Sequence, residues 1–545
     1  MRAKHLPAGR ARRILACSAS AAALLVAGCT VTPKPLTDVE RGAEAQADLK
    51  AMFAGQEPLT HPLTLQEAYA RALKYNLDRR VKLMEEAVAY DGLTVDSFDM
   101  LPKLTAEAGY LSRNNTLAES SRSISTGATT VPPSTSSDNN HVTADLTMSW
   151  NLLDFGVSYF AARQDADRVL IAQERRRKVA QNLIEQVRGA FWRAASAQAL
   201  GSKIDASIKA AETALDTSRK VEVQGLSSPL DALRYQRTLL DLLRQLDEVR
   251  DKLNIAKTEL ASLIDLPPGE TLTLVVPPQA DMTYQPISEP IRDMEQVALL
   301  RNPDLRELSY QARISVDEVH KSILRLLPGL SFNYGGQFDS NSFLTHNYWG
   351  QGAAQVSWNL LYVLQAPRVI RQADDQVKLA EVQRQAVAMA VLTKLYLAYQ
   401  QYLDAGKEYK RVRELADVDD RIYDQIANRV DVNAQNALER IAAEVSAVSS
   451  DLREYEGYAD LQAALGRIYD TLGVDAEAKN LAELDVATLA GETNAIMATW
   501  QQGPGPAPGK PKPDTTHMPP LPASATEDHG LIGGIERALR DVFGP

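Results

Sequence analysis

Cysteine, histidine and aromatic side chains are scarce in this chain, and basic residues are in deficit. Two cysteines among 545 residues cannot staple a small secreted fold or build a thiolate metal centre. The seven histidines include no i, i+4 pair, and no nucleophile motif has its partners. No enzyme chemistry, metal or cofactor is therefore expected. Lys and Arg number 59 against 70 Asp and Glu, a net charge of −11. That balance excludes a nucleic-acid binder, which concentrates cations against phosphates. No internal run of about 18 apolar residues exists, and the mean hydropathy is −0.26, so a polytopic helical membrane protein is excluded as well.

What is present begins with an address. Arg2, Lys4, Arg10, Arg12 and Arg13 precede a short apolar stretch, Ile14 to Ala27, and then Val26-Ala27-Gly28-Cys29. This order describes a secretory signal, and a cysteine after small residues resembles the lipobox of bacterial lipoproteins. Cys29 is the expected lipidation site, and Thr30 beside it resembles the outer-membrane sorting pattern. Cleavage before Cys29 removes five basic residues, leaving 54 against 70 acidic ones and a charge of −16. Acyl chains at about 0.8 kcal/mol per buried methylene would hold the N-terminus in a membrane.

The chain also repeats itself. Asn76, Asp78, Arg80, Asp91, Leu101 and Pro102 match Asn302, Asp304, Arg306, Asp317, Leu327 and Pro328 at an offset of 226. Trp150-Asn151-Leu152-Leu153 matches Trp358-Asn359-Leu360-Leu361 at 208, and that offset persists through Arg163/Arg371, Ala190/Ala398 and Leu230/Leu438. The difference of 18 residues falls in the Ser-, Thr- and Asn-rich tract Ser112 to His141, whose counterpart near Asp339 to Gln351 is shorter. Both tracts read as exposed loops.

Each loop is flanked by segments of period two. Val142, Ala144, Leu146, Met148 and Trp150 alternate with polar residues, as do Leu330, Phe332, Tyr334 and Phe338. Strands are expected at about 103–111, 142–151, 329–338 and 351–360, one hairpin per repeat. Their length suits a membrane-spanning strand, and Tyr110, Trp150, Phe338 and Trp358 supply an aromatic girdle. Four strands cannot close a barrel, and an open edge cannot stand in hydrocarbon. Several chains must pool their strands, two copies making eight or three making twelve.

The remainder reads as helix. From Gly156 to Gln224 there is no proline and apolar residues recur at helical spacing. Some 68 residues give a rod of about 100 Å, with a partner at 368–429. Shorter helical stretches are expected over 63–99, 229–264, 290–326 and 435–471, two of them matching one long rod. Helices this long and this poor in aromatics suggest coiled-coil-like packing on an Ala-rich seam.

The lipobox, the tandem helix–hairpin–helix order, Asn302-Pro303-Asp304, the Leu-Pro pairs before each hairpin and the Gly225…Ser228-Pro229-Leu230-Asp231 turn together resemble the TolC-like outer membrane efflux proteins, over residues 60–475. Leu77 departs from the pattern where the second repeat has Pro303. The resemblance implies a mainly α fold with membrane β: a long α-helical barrel continuous with a four-stranded share of a trimeric outer-membrane β-barrel. It implies a homotrimer in contact with outer-membrane lipid, a periplasmic adaptor protein and an inner-membrane pump; the acidic balance already argues against nucleic acid as a partner. The resemblance also places a carboxylate ring just after the turn between the long and short helices of the second repeat, where Glu439 stands; Asp431, beside Arg429 in sequence, is a further constriction candidate. Gln435 replaces an arginine that latches some members closed. Gly225, Leu226, Ser227, Asp231 and Asn433 are the residues expected to meet the adaptor.

The domain reading that follows is a signal at 1–28, a lipid-anchored extension at 29–62, a first repeat at 63–266 and a linker at 267–289. A second repeat at 290–475, a helical segment at 476–500 and a disordered Pro-rich tail at 501–545 complete it. The expected function is a passive exit duct for efflux or type I secretion, extending from the outer membrane into the periplasm. The alternative is a non-conducting coiled-coil lipoprotein that spans the periplasm, which would have no use for the alternating strands.

Overall fold

The computed structural model describes residues 33–129, 133–224, 228–267, 269–428, 434–475, 481 and 483–501. The signal, Cys29 and the tail beyond 501 lie outside the described residues. The chain divides into two compact units, Met1–Gln56 and Glu57–Pro545. The first contributes helix α1 (Asp38–Met52), which has no buried residue. A capping box closes its N-terminus: the Thr37 hydroxyl accepts from the Glu40 amide while the Glu40 carboxylate accepts from the Thr37 amide.

In the second unit the two repeats are built alike. The first runs α2 (Leu65–Tyr75), α3 (Leu77–Ser97), β1 (Lys103–Ser112), β2 (Asn140–Asn151), α4 (Leu152–Val223) and α5 (Pro229–Leu263). The second runs α6 (Ile291–Arg301), α7 (Pro303–Leu324), β3 (Gly329–Asp339), β4 (Tyr348–Ser357), α8 (Leu361–Ala427) and α9 (Ala434–Leu472); α10 (Val486–Gln501) follows. The expected fold class, mainly helical with a four-stranded antiparallel sheet, is borne out.

Repeated sequence motifs mark repeated joints. At the strand-to-helix joint, the Asn151 side chain accepts from the amides of Leu153 and Asp154, and Asn359 accepts from Leu361. The Trp-Asn-Leu-Leu motif is thus the cap that turns a strand into a long helix. At the other joint the sequence reading needs correction. The stretches 63–99 and 290–326 are each two helices, broken at Asn76 and Asn302, where ψ is 126° in both. Each asparagine caps the following helix and donates its amide back to the closing helix of its own repeat, Asn76 to the Leu263 carbonyl and Asn302 to that of Thr471. Pro303 cannot donate to the preceding turn, which fixes the break; Leu77 adopts the same path without it. The closing helices end alike too. Leu266 donates to Ala261 and Val474 to Tyr469, with Asp265 and Gly473 left-handed at φ 59° and 70°. A Cβ on Gly473 would lie 2.4 Å from the Arg301 carbonyl oxygen, so only glycine fits there.

Packing follows from the seams. On α5 the buried positions Ala232, Leu239, Leu246, Leu253 and Leu260 recur every seven residues. On α4 they step by three and four through Val187, Ala190, Ala194 and Ala197, then on through Ile204, Ile208, Ala211 and Leu215. Such spacing seats one helix in the holes of another. The result is a wall of four columns in the order α3 with α5, then α4, then α7 with α9, then α8. The sheet has the same order, β1-β2-β3-β4, so each strand continues one column. At 1.5 Å per residue the 72-residue α4 and 67-residue α8 are about 100 Å long or slightly more. Among the described residues no helix is long and apolar enough to cross a membrane.

Candidate functional site

The sheet carries the first candidate site, and its register sorts the side chains. Leu104 pairs with Met148, Ala106 with Leu146 and Tyr110 with Val142. Trp150 pairs with Phe332, Met148 with Tyr334 and Ala144 with Phe338. Phe332 faces Ala354 and Phe338 faces Tyr348. Because side chains alternate across a strand, these residues share one apolar face. Thr105, Glu107, Thr143, Asp145, Thr147, Asn333, Gln337, Gln351 and Gln355 form the other. Leu104, Tyr110, Leu146 and Tyr334 remain exposed, so among the described residues neither helix nor second sheet covers the apolar face. Among the described residues strands β1 and β4 each pair on one side only.

The aromatic residues fall in two bands. Tyr110, Phe338 and Tyr348 lie toward the loops, whereas Trp150 and Phe332 lie toward the helices, with Phe155 edge-on to Trp150 at 5.8 Å. Six residues along β2 or β3 separate the bands, about 20 Å. Tyr348 was not named from the sequence, and Phe332 was read there as an alternating apolar residue and not as part of the girdle. Trp358 lies one residue beyond β4, which ends sooner than the alternation suggested; its indole donates to the Leu326 carbonyl at 3.0 Å. On the polar face Glu107 stands directly opposite Asp145. Like charges so placed repel and need water around them.

The two hairpin loops are locked to each other. Asp138 accepts from the amide and hydroxyl of Ser342, and Asn341 exchanges bonds with the backbone of Asp138 and Ser136. Those bonds hold the Asp138 carboxyl below the usual carboxylate range.

The opposite end of the wall carries the second candidate site. Gly225, Leu226, Ser227, Asp431 and Asn433 lie outside the described residues. Asp231 and Glu439 are described, and at 208 residues apart they are repeat equivalents. Asp231 sits in the first turn of α5, exposed, with Arg234 at 3.8 Å. Glu439 is exposed near the start of α9. Acidic side chains there complement the helix dipole, whatever further role they have.

Between these ends the wall is stitched by ions and by the inter-repeat segment. Glu174 pairs with Arg306 at 3.1 Å and Lys178 with Asp304 at 2.6 Å, and Asp167 pairs with Arg313, all along the α4–α7 seam. Burial nevertheless pushes the Asp167 and Glu174 carboxyls up, the arginines only partly offsetting it. The segment after α5 crosses the waist as a strap. Gln198 bonds both backbone groups of Leu274, and Tyr409 and Arg413 bond the Met282 carbonyl. Sequence reading missed this waist, where Tyr402, Tyr409, Tyr458 and Tyr469 are buried and Trp192 and Tyr409 both pack on the Tyr458 ring.

Residues 68–265 match the family described as outer membrane efflux protein. No curated protein matches the chain. Solved structures do, including the outer-membrane channel OprN, at 16% identity and a TM-score of 0.57, over 75% of this chain and 89% of that one. The CmeC outer membrane channel of Campylobacter jejuni aligns at 12% identity and 0.59, over 86% and 97%. The open-state MtrE outer membrane channel of Neisseria gonorrhoeae aligns at 18% and 0.55, over 74% and 88%. The resemblance read from the sequence is borne out, and the fold is that of outer-membrane efflux channels.

Proposed function

We propose that three copies of this chain close into a passive exit duct, a twelve-stranded barrel in the outer membrane continued by a helical tunnel in the periplasm. The observation that carries the reading is the shared open edge. Strand β1 and the α3–α5 column end one side of the chain, β4 and α8 the other. Sheet and wall therefore close together or not at all. Hydrocarbon admits only closed barrels, and the exposed apolar face suits lipid while the polar face suits a wet lumen. In this reading the two aromatic bands, with Tyr110, Trp150 and Phe338 among them, sit at the two membrane surfaces, and Trp358 lies just beyond the helix-side band.

Lipid on Cys29 anchors each copy. At the far end Glu439, with Asp431, forms a carboxylate ring at the constriction that favours cations. Residues Gly225 to Ser227, Asp231 and Asn433 meet a periplasmic adaptor, through which an inner-membrane pump supplies energy and cargo. The chain itself performs no catalysis. The test is extraction of heat-modifiable trimers from outer membranes, with stepwise conductance in planar bilayers. A protein that crosses the periplasm without conducting, and without protease-protected strands, would favour the coiled-coil alternative.

A further inference from the structure

One side chain at the waist has no partner that its chemistry calls for. Arg188 on α4 is 5% exposed. Its Nε donates to the Gln462 Oε1 at 2.9 Å, and its guanidinium lies 5.7 Å from the Tyr469 ring centroid. Among the described residues no carboxylate pairs with it, and neither Nη group makes a hydrogen bond. Other arginines of α4 show the contrast. Arg177, also largely buried, binds both Glu174 and Asp475, and Arg176 binds Glu86. A guanidinium cannot shed its proton, and a buried charge without a counter-charge is costly.

Arg188 lines a partly open cavity of about 270 Å³ between α4, α8, α9 and the strap. Trp192, Tyr402 and Tyr458 provide aromatic walls, with Trp192 and Tyr458 edge to face at 4.7 Å. We infer that this cavity binds a small aromatic monocarboxylate, its carboxylate on the Nη groups of Arg188 and its ring against Trp192 and Tyr458. The planar guanidinium fork matches a carboxylate in two bonds. The volume lies below the ~300–1,000 Å³ of drug-sized sites, which limits the ligand to about one ring. Asp281 and Glu289 also line the cavity, so a dianion such as sulfate is repelled more than a monoanion. The site lies apart from both ends of the wall and does not depend on the duct reading.

The test uses the full chain in detergent, titrated with benzoate, its neutral isostere benzamide, and sulfate. Calorimetry is read alongside tryptophan fluorescence, since Trp192 forms part of the wall. Benzoate is expected to bind saturably, with benzamide and sulfate at least about tenfold weaker. Arg188→Gln should lose benzoate by a similar factor, with Arg188→Lys between. Equal binding of benzoate and benzamide, no saturable benzoate binding, or unchanged binding by a folded Arg188→Gln chain would each overturn the site. The comparison of the three probes on the unaltered chain needs no variant to fold.

Discussion

Helices α4 and α8 hold the same place in the two repeats and have nearly the same length, yet their surroundings differ. Helix α4 is covered by columns on both sides, and it buries even Gln181, Arg188 and Gly189. The positions 208 residues later on α8 are Met389, Tyr396 and Leu397, and all three are exposed, at 66%, 48% and 59%. An apolar residue thus stands open on α8 where a polar or small one is buried on α4. Column α3 is similar, with Val81, Met84, Val88 and Val95 exposed. Monomeric proteins rarely leave so much contiguous apolar surface in water. The difference teaches that α8, like the α3–α5 column, is an edge of the wall; in the proposed duct its open face meets the α3–α5 edge of another copy.

The contrast can be broken most sharply by one charge placed on each helix. Ala194→Asp on α4 puts a carboxylate where the residue is 0% exposed, costing about 3 kcal/mol or more. Folded protein should fail to accumulate. Leu397→Asp on α8 should instead leave a folded chain that no longer assembles, measured by light scattering and helical circular dichroism. Equal unfolding by both would erase the distinction.

The sheet offers the same contrast between faces. Leu146→Arg places a charge on the apolar face near mid-strand and should cost about 2–4 kcal/mol of membrane stability. Its neighbour Thr147→Arg, on the polar face, should leave the trimer intact and shift ion selectivity toward anions. Reversal potentials and heat-modifiability separate the two.

Much of the architecture was legible because it rests on local chemistry. Period-two alternation located the hairpins, the change of repeat offset located the long loop, and Trp-Asn-Leu-Leu marked the joints before its capping role was known. Neither helix break was read from the sequence: at Asn302 the signal was there in Pro303 and was passed over, whereas Leu77 gives none at Asn76, where the tertiary bond to Leu263 sets the break. The end of β4 was not legible either, because the alternation runs on while Trp358 turns away to reach Leu326. The waist depends on contacts across scores to hundreds of residues, such as Arg188 with Gln462, and no spacing rule foretells those. For the tip, the repeat offset alone makes Asp231 the equivalent of Glu439.

That equivalence sharpens the comparison at smaller magnitude. Glu439→Ala should raise resting conductance or weaken divalent-cation block, whereas Asp231→Ala, assigned to the adaptor, should do neither. Identical effects from both would dissolve the division of labour between the two turns.

The smallest expected effect is on pH. Burial raises the carboxyls of Glu174, Glu185, Glu454 and Asp460. The folded chain therefore binds more protons than the unfolded one just above the ordinary carboxylate range. Stability falls as pH rises through that window. Opposite shifts at Glu40, Asp404 and Asp485 are on exposed groups, where solvent screens them, and those at half-buried Glu57, Asp138 and Glu318 matter only as pH falls below the ordinary carboxylate range. Thermal unfolding should come at higher temperature near pH 5 than near about pH 7.5, and the reverse order would remove burial as the dominant influence.

The closing of edge on edge is open to one direct measurement. Cysteines placed together at Thr105 on β1 and Ala353 on β4 are separated within a chain by two intervening strands, too far for a short link. Treated in outer membranes with a short bifunctional maleimide, the chain is predicted to cross-link to dimers and trimers and to stop there, with neither single cysteine linking alone. No intermolecular product, or a ladder running beyond three chains, would contradict the closed three-copy barrel.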